Sequence, residues 1–240
     1  MNTKKMEVLM DLARRHLPEA HLLFLEKRAE TATADGAFGE LVYCILAGTQ
    51  VPAETARRAH QELRKKLGTF FIPSKLLEPG APALVAESLR QSGYRYHSIK
   101  AKAILNAAFF VESRYQGDIR RLLLLEKWDA KVIENKLTKD VKGIGRKIAN
   151  HWLRNMGLDT CTIDIHLKRL FRQVGEYQRD PNLEIRSTEF YHLVSIIRDL
   201  SRRLEVPISE GQYALWLGAR ALSNHESISL QGDLEGMLPR

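Results

Sequence analysis

The stretch Val141–Gly157, VKGIGRKIANHWLRNMG, decides how the rest of the chain is organised. Upstream, Val132, Ile133 and Leu137 recur at helical spacing, and downstream Ile148, Ala149, Trp152, Leu153 and Met156 make one apolar face of a second helix. The two predicted helices meet at Gly143-Ile144-Gly145. Glycine adopts backbone conformations closed to other residues and lets another molecule approach the main chain closely. The second helix opens there with unpaired N–H groups and the positive end of its dipole, which suits a phosphate. Ile144, between the glycines, is expected to point inward and pin the hairpin.

An ordinary tight turn between helices also uses glycines, so the surroundings matter. Arg146 and Lys147 follow the hairpin at once, and after Gly157 comes TCTIDIHLKRLF, where Asp164 stands 17 residues beyond Lys147 and directly precedes a basic amphipathic helix. Alone, Lys147 reads equally well as a solvated lysine, and Asp164 as a helix N-cap, for which aspartate is favoured. A glycine hairpin, a lysine in the first helical turn and an aspartate at the next helix start form a more specific combination.

Outward from this stretch, helical periodicity persists almost everywhere, as in Leu41, Ile45, Leu46 and in Phe190, Leu193, Val194, Ile197, Leu200, Leu204. Alternation of period two is nearly absent, so the expected class is all-α, with about ten helices joined by short loops. Breaks are expected at Pro18, Asp35-Gly36, Pro73 to Pro82, Gly143 and Gly145, Gly157, near Pro181 and at Pro207. Ser209-Glu210-Gly211-Gln212 has the form of a capping box opening the last helix, and after Ser223 periodicity fades into a loosely held tail.

With 240 residues the chain is long enough for one large or two small domains. No apolar run approaches the roughly 20 residues of a membrane-spanning helix, and the charged N-terminus lacks the form of a secretory signal. Two cysteines, Cys44 and Cys161, cannot supply a four-thiolate cluster, and the eight histidines show no paired metal spacing. No metal or cofactor is expected, and a reducing cytoplasmic location fits. A net charge of +8 favours polyanions, although many basic globular proteins carry as much.

The hairpin and the downstream aspartate resemble the helix-hairpin-helix DNA glycosylase superfamily, which includes endonuclease III. GIGRKIANHWLRNMG looks most like the second family of 8-oxoguanine DNA glycosylase/AP lyases. Further similarity lies in ELVYCILAGTQVPAETARRA from Glu40, in LRQSGYRYHSIKAKAI from Leu89 and in the helix around Tyr213 to Leu217. The resemblance implies two helical subdomains with the helix-hairpin-helix motif at the cleft between them. One is a central helical barrel over 37–136; the other combines 1–36 with 137–240 and holds the hairpin, about 132–157, and the aspartate.

The resemblance also assigns Lys147 and Asp164 as catalytic residues, and double-stranded DNA with a damaged base or abasic site as the partner of a monomer. Gly143, Ile144, Gly145 and Arg146 would bind DNA, and Gln50 would fill the hole left by a flipped nucleotide. Lys168, with Arg57, Arg58, Lys100, Lys102 and Arg169, would reach phosphates. Trp216 and Gln212 fall in the helix expected to line the base pocket, although packing in the core would equally account for Trp216. Gln212 replaces the family's acidic residue, and the chain ends in a longer tail. Absence of cysteine ligands departs from endonuclease III and agrees with the clusterless 8-oxoguanine families. A prokaryotic member would be nucleoid-associated.

The chemistry needs these residue types. Excision requires negative charge near the positive charge developing on the sugar, which Asp164 supplies, and a nucleophile at the anomeric carbon. An amine attacks only when deprotonated, and the positive helix end and Arg146 both favour the neutral form. Attack would leave a Schiff base, from which β-elimination cuts the strand on the 3′ side. Two other readings stay open: a monofunctional glycosylase for alkylated or mismatched bases, and a non-catalytic DNA-binding module that keeps only the hairpin.

Overall fold

The structure is a computed structural model describing residues 1, 3–48, 51–68 and 71–225. Among these residues it contains twelve helices and no strand, so the all-α expectation holds. They fall into two compact units, Glu26–Leu158 and Met1–Leu25 with Asp159–Arg240.

The middle unit contains α2 (Ala34–Ala47), α3 (Ala53–Leu67), α4 (Pro73–Leu76), α5 (Ala81–Gln91), α6 (His97–Tyr115), α7 (Arg120–Leu125), α8 (Ala130–Asp140) and α9 (Arg146–Asn155). Its core is built on Phe38, Leu41 and Ile45 of α2, Leu63 of α3, Leu89 of α5, Ile104 of α6 and Trp152 of α9, all fully buried. Thr33 starts α2 by accepting the Gly36 N–H at 3.1 Å, which explains the break foreseen near Asp35-Gly36. Prolines and Gly80 (φ +89°) set off α4 and α5 as expected. Two short helices, α4 with four residues and α7 with six, raise the number above that expected, being too short to show a periodic pattern.

The hairpin belongs to this middle unit, because Ile144, Ile148, Ala149 and Trp152 all join its core. That differs from the division expected at 36/37 and 136/137. Periodicity marks the apolar face of a helix but not the core it enters.

The other unit is formed by the first part of α1 (Thr3–Glu30) with α10 (Ile165–Gln173), α11 (Ser187–Arg203) and α12 (Ile208–His225). Leu9, Ala13 and Ala20 pack with Leu167, Phe171, Leu193, Ile197, Leu200 and Leu215. The break expected at Pro18 does not occur: α1 runs through it. A proline inside a helix costs about 3 kcal/mol. Here Leu9, Ala13 and Ala20, buried on either side of it, seat both halves in one core. The capping box is also displaced, since the Gly211 N–H bonds to the Pro207 carbonyl and α12 begins ahead of Ser209. Most of the expected tail lies outside the described residues.

Candidate active site

The hairpin is built from its ends inward. Asp129 starts α8, its Oδ1 accepting the Lys131 and Val132 N–H groups at 2.9 and 3.0 Å. After α8, Gly143 has φ +101°, and a Cβ there would lie 2.6 Å from the Ala103 Cβ of α6. Both the backbone conformation and the space therefore demand glycine. Beside it, the Asn106 amide donates to the Lys142 carbonyl at 2.9 Å. Ile144 is buried in the core and its N–H donates to Val141 O, so it pins the turn as anticipated. Gly145 is the N-cap of α9; no side chain caps that helix, and a Cβ at Gly145 would meet open space.

Glu134 clasps the two hairpin helices. Buried on α8, it accepts hydrogen bonds from Asn150 Nδ2 at 2.9 Å, from Arg146 Nε at 3.2 Å and from Lys131 Nζ at 3.1 Å. The Trp152 indole N–H reaches the Ala37 carbonyl at 2.9 Å and ties α9 to α2. Ile148 sits over Gly48, where a Cβ would approach its Cγ1 to 2.3 Å. Thus α9 is held along its buried face, while Lys147 stands exposed in its first turn. One turn later His151 is kept neutral, chiefly by burial and then by the positive charges of Arg154, Lys147 and Lys27.

Asp164, in the other unit, is the N-cap of α10, as its position before a basic helix implied. Its two oxygens have different work. Oδ1 accepts the Leu167 N–H at 3.1 Å, and Oδ2 accepts the Trp216 indole N–H at 2.8 Å. The Arg220 guanidinium lies 4.7 Å from the Trp216 ring centroid, which orients the indole further. Nearby, burial lowers the pKa of His166 against the opposing charge of Asp164. The carboxylate is therefore fixed in position by two donors.

The remaining candidates divide. Trp216 is half-buried and bonds to Asp164, a role that sequence spacing did not reveal. Gln212 is buried in α12. Lys168 is buried as well, and its ammonium donates to the Leu183 carbonyl at 2.7 Å, so it braces the 175–186 loop rather than lying open to a phosphate. Arg146 is half-exposed and paired with Glu134. Lys102 and Arg169 are exposed, Arg57 pairs with Glu54 at 3.0 Å, and Arg58 donates to Ser92 O at 3.2 Å. Lys100 is buried, which its place among surface candidates did not anticipate. Gln50 lies outside the described residues. Among the described residues no three His, Cys, Asp or Glu side chains group as a metal site, and no helix is long and apolar enough to cross a membrane.

Residues 21–206 match the family model described as 8-oxoguanine DNA glycosylase. An 8-oxoguanine DNA glycosylase/AP lyase of Metallosphaera sedula is 29% identical over 183 residues, covering 75% of this chain and 79% of that protein. Its namesake in Thermotoga maritima is 32% identical over 182 residues, covering 73% and 78%. The crystal structure of the T. maritima 8-oxoguanine DNA glycosylase superposes with a TM-score of 0.68 at 25% identity, over 88% of this chain and 95% of that one. The Methanocaldococcus jannaschii 8-oxoguanine glycosylase/lyase, in complex with a 15mer DNA containing 8-oxoguanine, shares the fold, with a TM-score of 0.69 at 21% identity over 87% and 95%.

Proposed function

The chain belongs to the 8-oxoguanine DNA glycosylase family, and we propose that it removes 8-oxoguanine from duplex DNA and cleaves the resulting abasic site with Lys147 as nucleophile and Asp164 as its carboxylate partner. The observation that carries this reading is Lys147 itself, exposed in the first turn of an otherwise firmly packed, uncapped helix that follows a glycine hairpin. Such a helix start favours a nearby phosphate, so the DNA backbone would be drawn to the place where the amine is displayed.

The target nucleotide leaves the stack, at a cost of a few kcal/mol. The lone pair of the neutral Lys147 amine forms a bond to the sugar C1′ as the bond from C1′ to the base breaks, and that bonding pair leaves with the base. Asp164 supplies fixed negative charge against the positive charge that builds on the sugar. Loss of the amine proton and opening of the sugar ring give a Schiff base, β-elimination expels the 3′ phosphate, and water releases Lys147. Support for a lyase over a binding module is the presence of both groups, since binding through the hairpin requires neither.

The test is borohydride trapping on a duplex with a single 8-oxoguanine or abasic site. Wild-type protein becomes covalently attached to the DNA, whereas Lys147→Gln binds the duplex without attachment. Undiminished trapping of Lys147→Gln would overturn the assignment. Single-turnover excision of 8-oxoguanine against an oxidised pyrimidine, uracil and 3-methyladenine checks the substrate, for which 8-oxoguanine is the expected preference.

A further inference from the structure

One face of α12 lies against the start of α10. Trp216, Arg220 and Ser223, spaced by four and then three residues, share that face. The Trp216 indole N–H donates to Asp164 Oδ2 at 2.8 Å, and Ser223 Oγ stands 3.4 Å from His166 Nδ1. Arg220, between them, bonds to neither. It is exposed, its guanidinium lies over the Trp216 ring at 4.7 Å from the centroid, and among the described residues its donors meet no acceptor.

Two opposite charges that touch one indole would ordinarily pair, with two guanidinium N–H groups on two carboxylate oxygens. Here each oxygen of Asp164 is already engaged, Oδ1 by the Leu167 N–H at 3.1 Å and Oδ2 by the indole. Asp164 meets the edge of the ring and Arg220 its face, so the indole holds the charges apart. Neither neutralises the other. Stacking on a face also leaves the rim of the guanidinium, where all five N–H groups point, open to a ligand. The surroundings add positive charge. Arg169 is exposed on α10, and its charge, like that of Arg220, bears on His166. Lys168 is spent on the Leu183 carbonyl.

We propose that Arg220 binds a backbone phosphate of the target nucleotide, beside the sugar that Asp164 faces. A nucleotide losing its base carries a matching pattern: positive charge building on the sugar ring and, joined to that ring through one oxygen or a short arm, a permanently negative phosphate. Asp164 and Arg220 present the opposite charges in the same order, a ring's width apart. An ion pair between them would serve neither task, because it would cancel the charge that the sugar needs and cover the donors that the phosphate needs. Trp216 thus fixes the carboxylate and carries the arginine. A guanidinium can also bind the edge of a guanine, but the neighbouring Arg169 charge favours an anion. This inference deepens the proposed reading and rests on Asp164 facing the sugar.

The experiment measures binding to a duplex with a stable abasic-site analogue, which carries no base, over a range of salt concentrations for wild type, Arg220→Gln and Arg220→Lys. Glutamine keeps a planar amide to lie on the indole and removes the charge; the site is exposed, so melting should not change. Arg220→Gln is expected to bind about tenfold more weakly at low salt, with the slope of log affinity against log salt smaller by about 1. Arg220→Lys keeps the charge and therefore the wild-type slope. Replacing single phosphates around the site by neutral methylphosphonates should find one position that weakens wild type by about as much and weakens Arg220→Gln no further. At saturating enzyme, Arg220→Gln should excise 8-oxoguanine at close to the wild-type rate. Unchanged affinity and slope with a slower saturated rate would mean that Arg220 only seats Trp216, which overturns the phosphate contact. Weakening confined to duplexes that carry the 8-oxoguanine base would assign Arg220 to the base and overturn it as well. Excision by Asp164→Asn at the wild-type rate would remove the role of Asp164, and the salt slope of Arg220→Gln would still decide the phosphate contact.

Discussion

Two helix starts carry the catalytic candidates, and they are built in opposite ways. At α9 the N-cap is Gly145, no side chain caps the helix, and Lys147 is exposed. At α10 the N-cap is Asp164, with Leu167 N–H on one oxygen and the Trp216 indole on the other. One end displays its chemistry and leaves backbone donors for a ligand; the other holds its charge in a fixed place. The difference fits the tasks proposed for them. A nucleophile must travel to a carbon and form a bond, whereas a carboxylate that stabilises charge works best when it needs no reorganisation.

Removing the charge at the fixed end gives the largest expected effect on activity. Asp164→Asn keeps one oxygen able to cap α10 but turns an amide N–H₂ toward the Trp216 indole, so stability should fall by about 1 kcal/mol, the worth of one hydrogen bond, while excision slows by about 10²-fold or more, the scale of one preorganised electrostatic group. Excision near the wild-type rate would make Asp164 a cap and nothing else. Asp164→Ala adds about 0.5–2 kcal/mol of lost stability by removing the cap.

Changing the support beneath the displayed end comes next. Gly143→Ala meets both the positive φ and Ala103, and should destabilise the middle unit by about 1–3 kcal/mol, read from chemical denaturation. A variant as stable as wild type would mean that the α6 contact is not needed to form the hairpin.

A smaller effect is expected from Trp216→Phe, which removes the indole N–H and keeps much of the ring. Excision should slow by about tenfold, in line with the roughly 1.5 kcal/mol of a hydrogen bond to a charged group. An unchanged rate would show that Oδ2 needs no partner.

Gly145→Ser makes the two helix starts alike and has the smallest effect on stability. It places a capping hydroxyl on α9 in open space, so stability should rise by a few tenths of a kcal/mol while affinity for duplex DNA falls. If affinity is retained, the uncapped donors are not the phosphate site.

The same contrast shows what could be read before the structure was known. Gly143, Gly145 and Ile144 announced the hairpin because a tight turn leaves a local signature, and Asp164 announced a cap for the same reason. Nothing local marks Trp216 as the partner of a residue 52 positions away, since that bond depends on how α10 and α12 pack. Lys100 and Lys168 look like surface lysines in sequence, yet tertiary packing buries both. Pro18 and Ser209 misled in the opposite direction. Each carries a strong local preference that packing overrode, so α1 passes through the proline and α12 starts ahead of the serine.

Gly48 has a consequence for engineering. Ile148, the residue after the displayed lysine, occupies the volume that any side chain at position 48 would need. In a saturation library position 48 should therefore tolerate almost nothing, although it lies at the end of α2 and far from the hairpin in sequence. For the same reason the hairpin is not a portable module. Residues 132–157 grafted onto another helical scaffold would arrive without the hollow that receives Ile148, and the lysine beside it would be carried out of register.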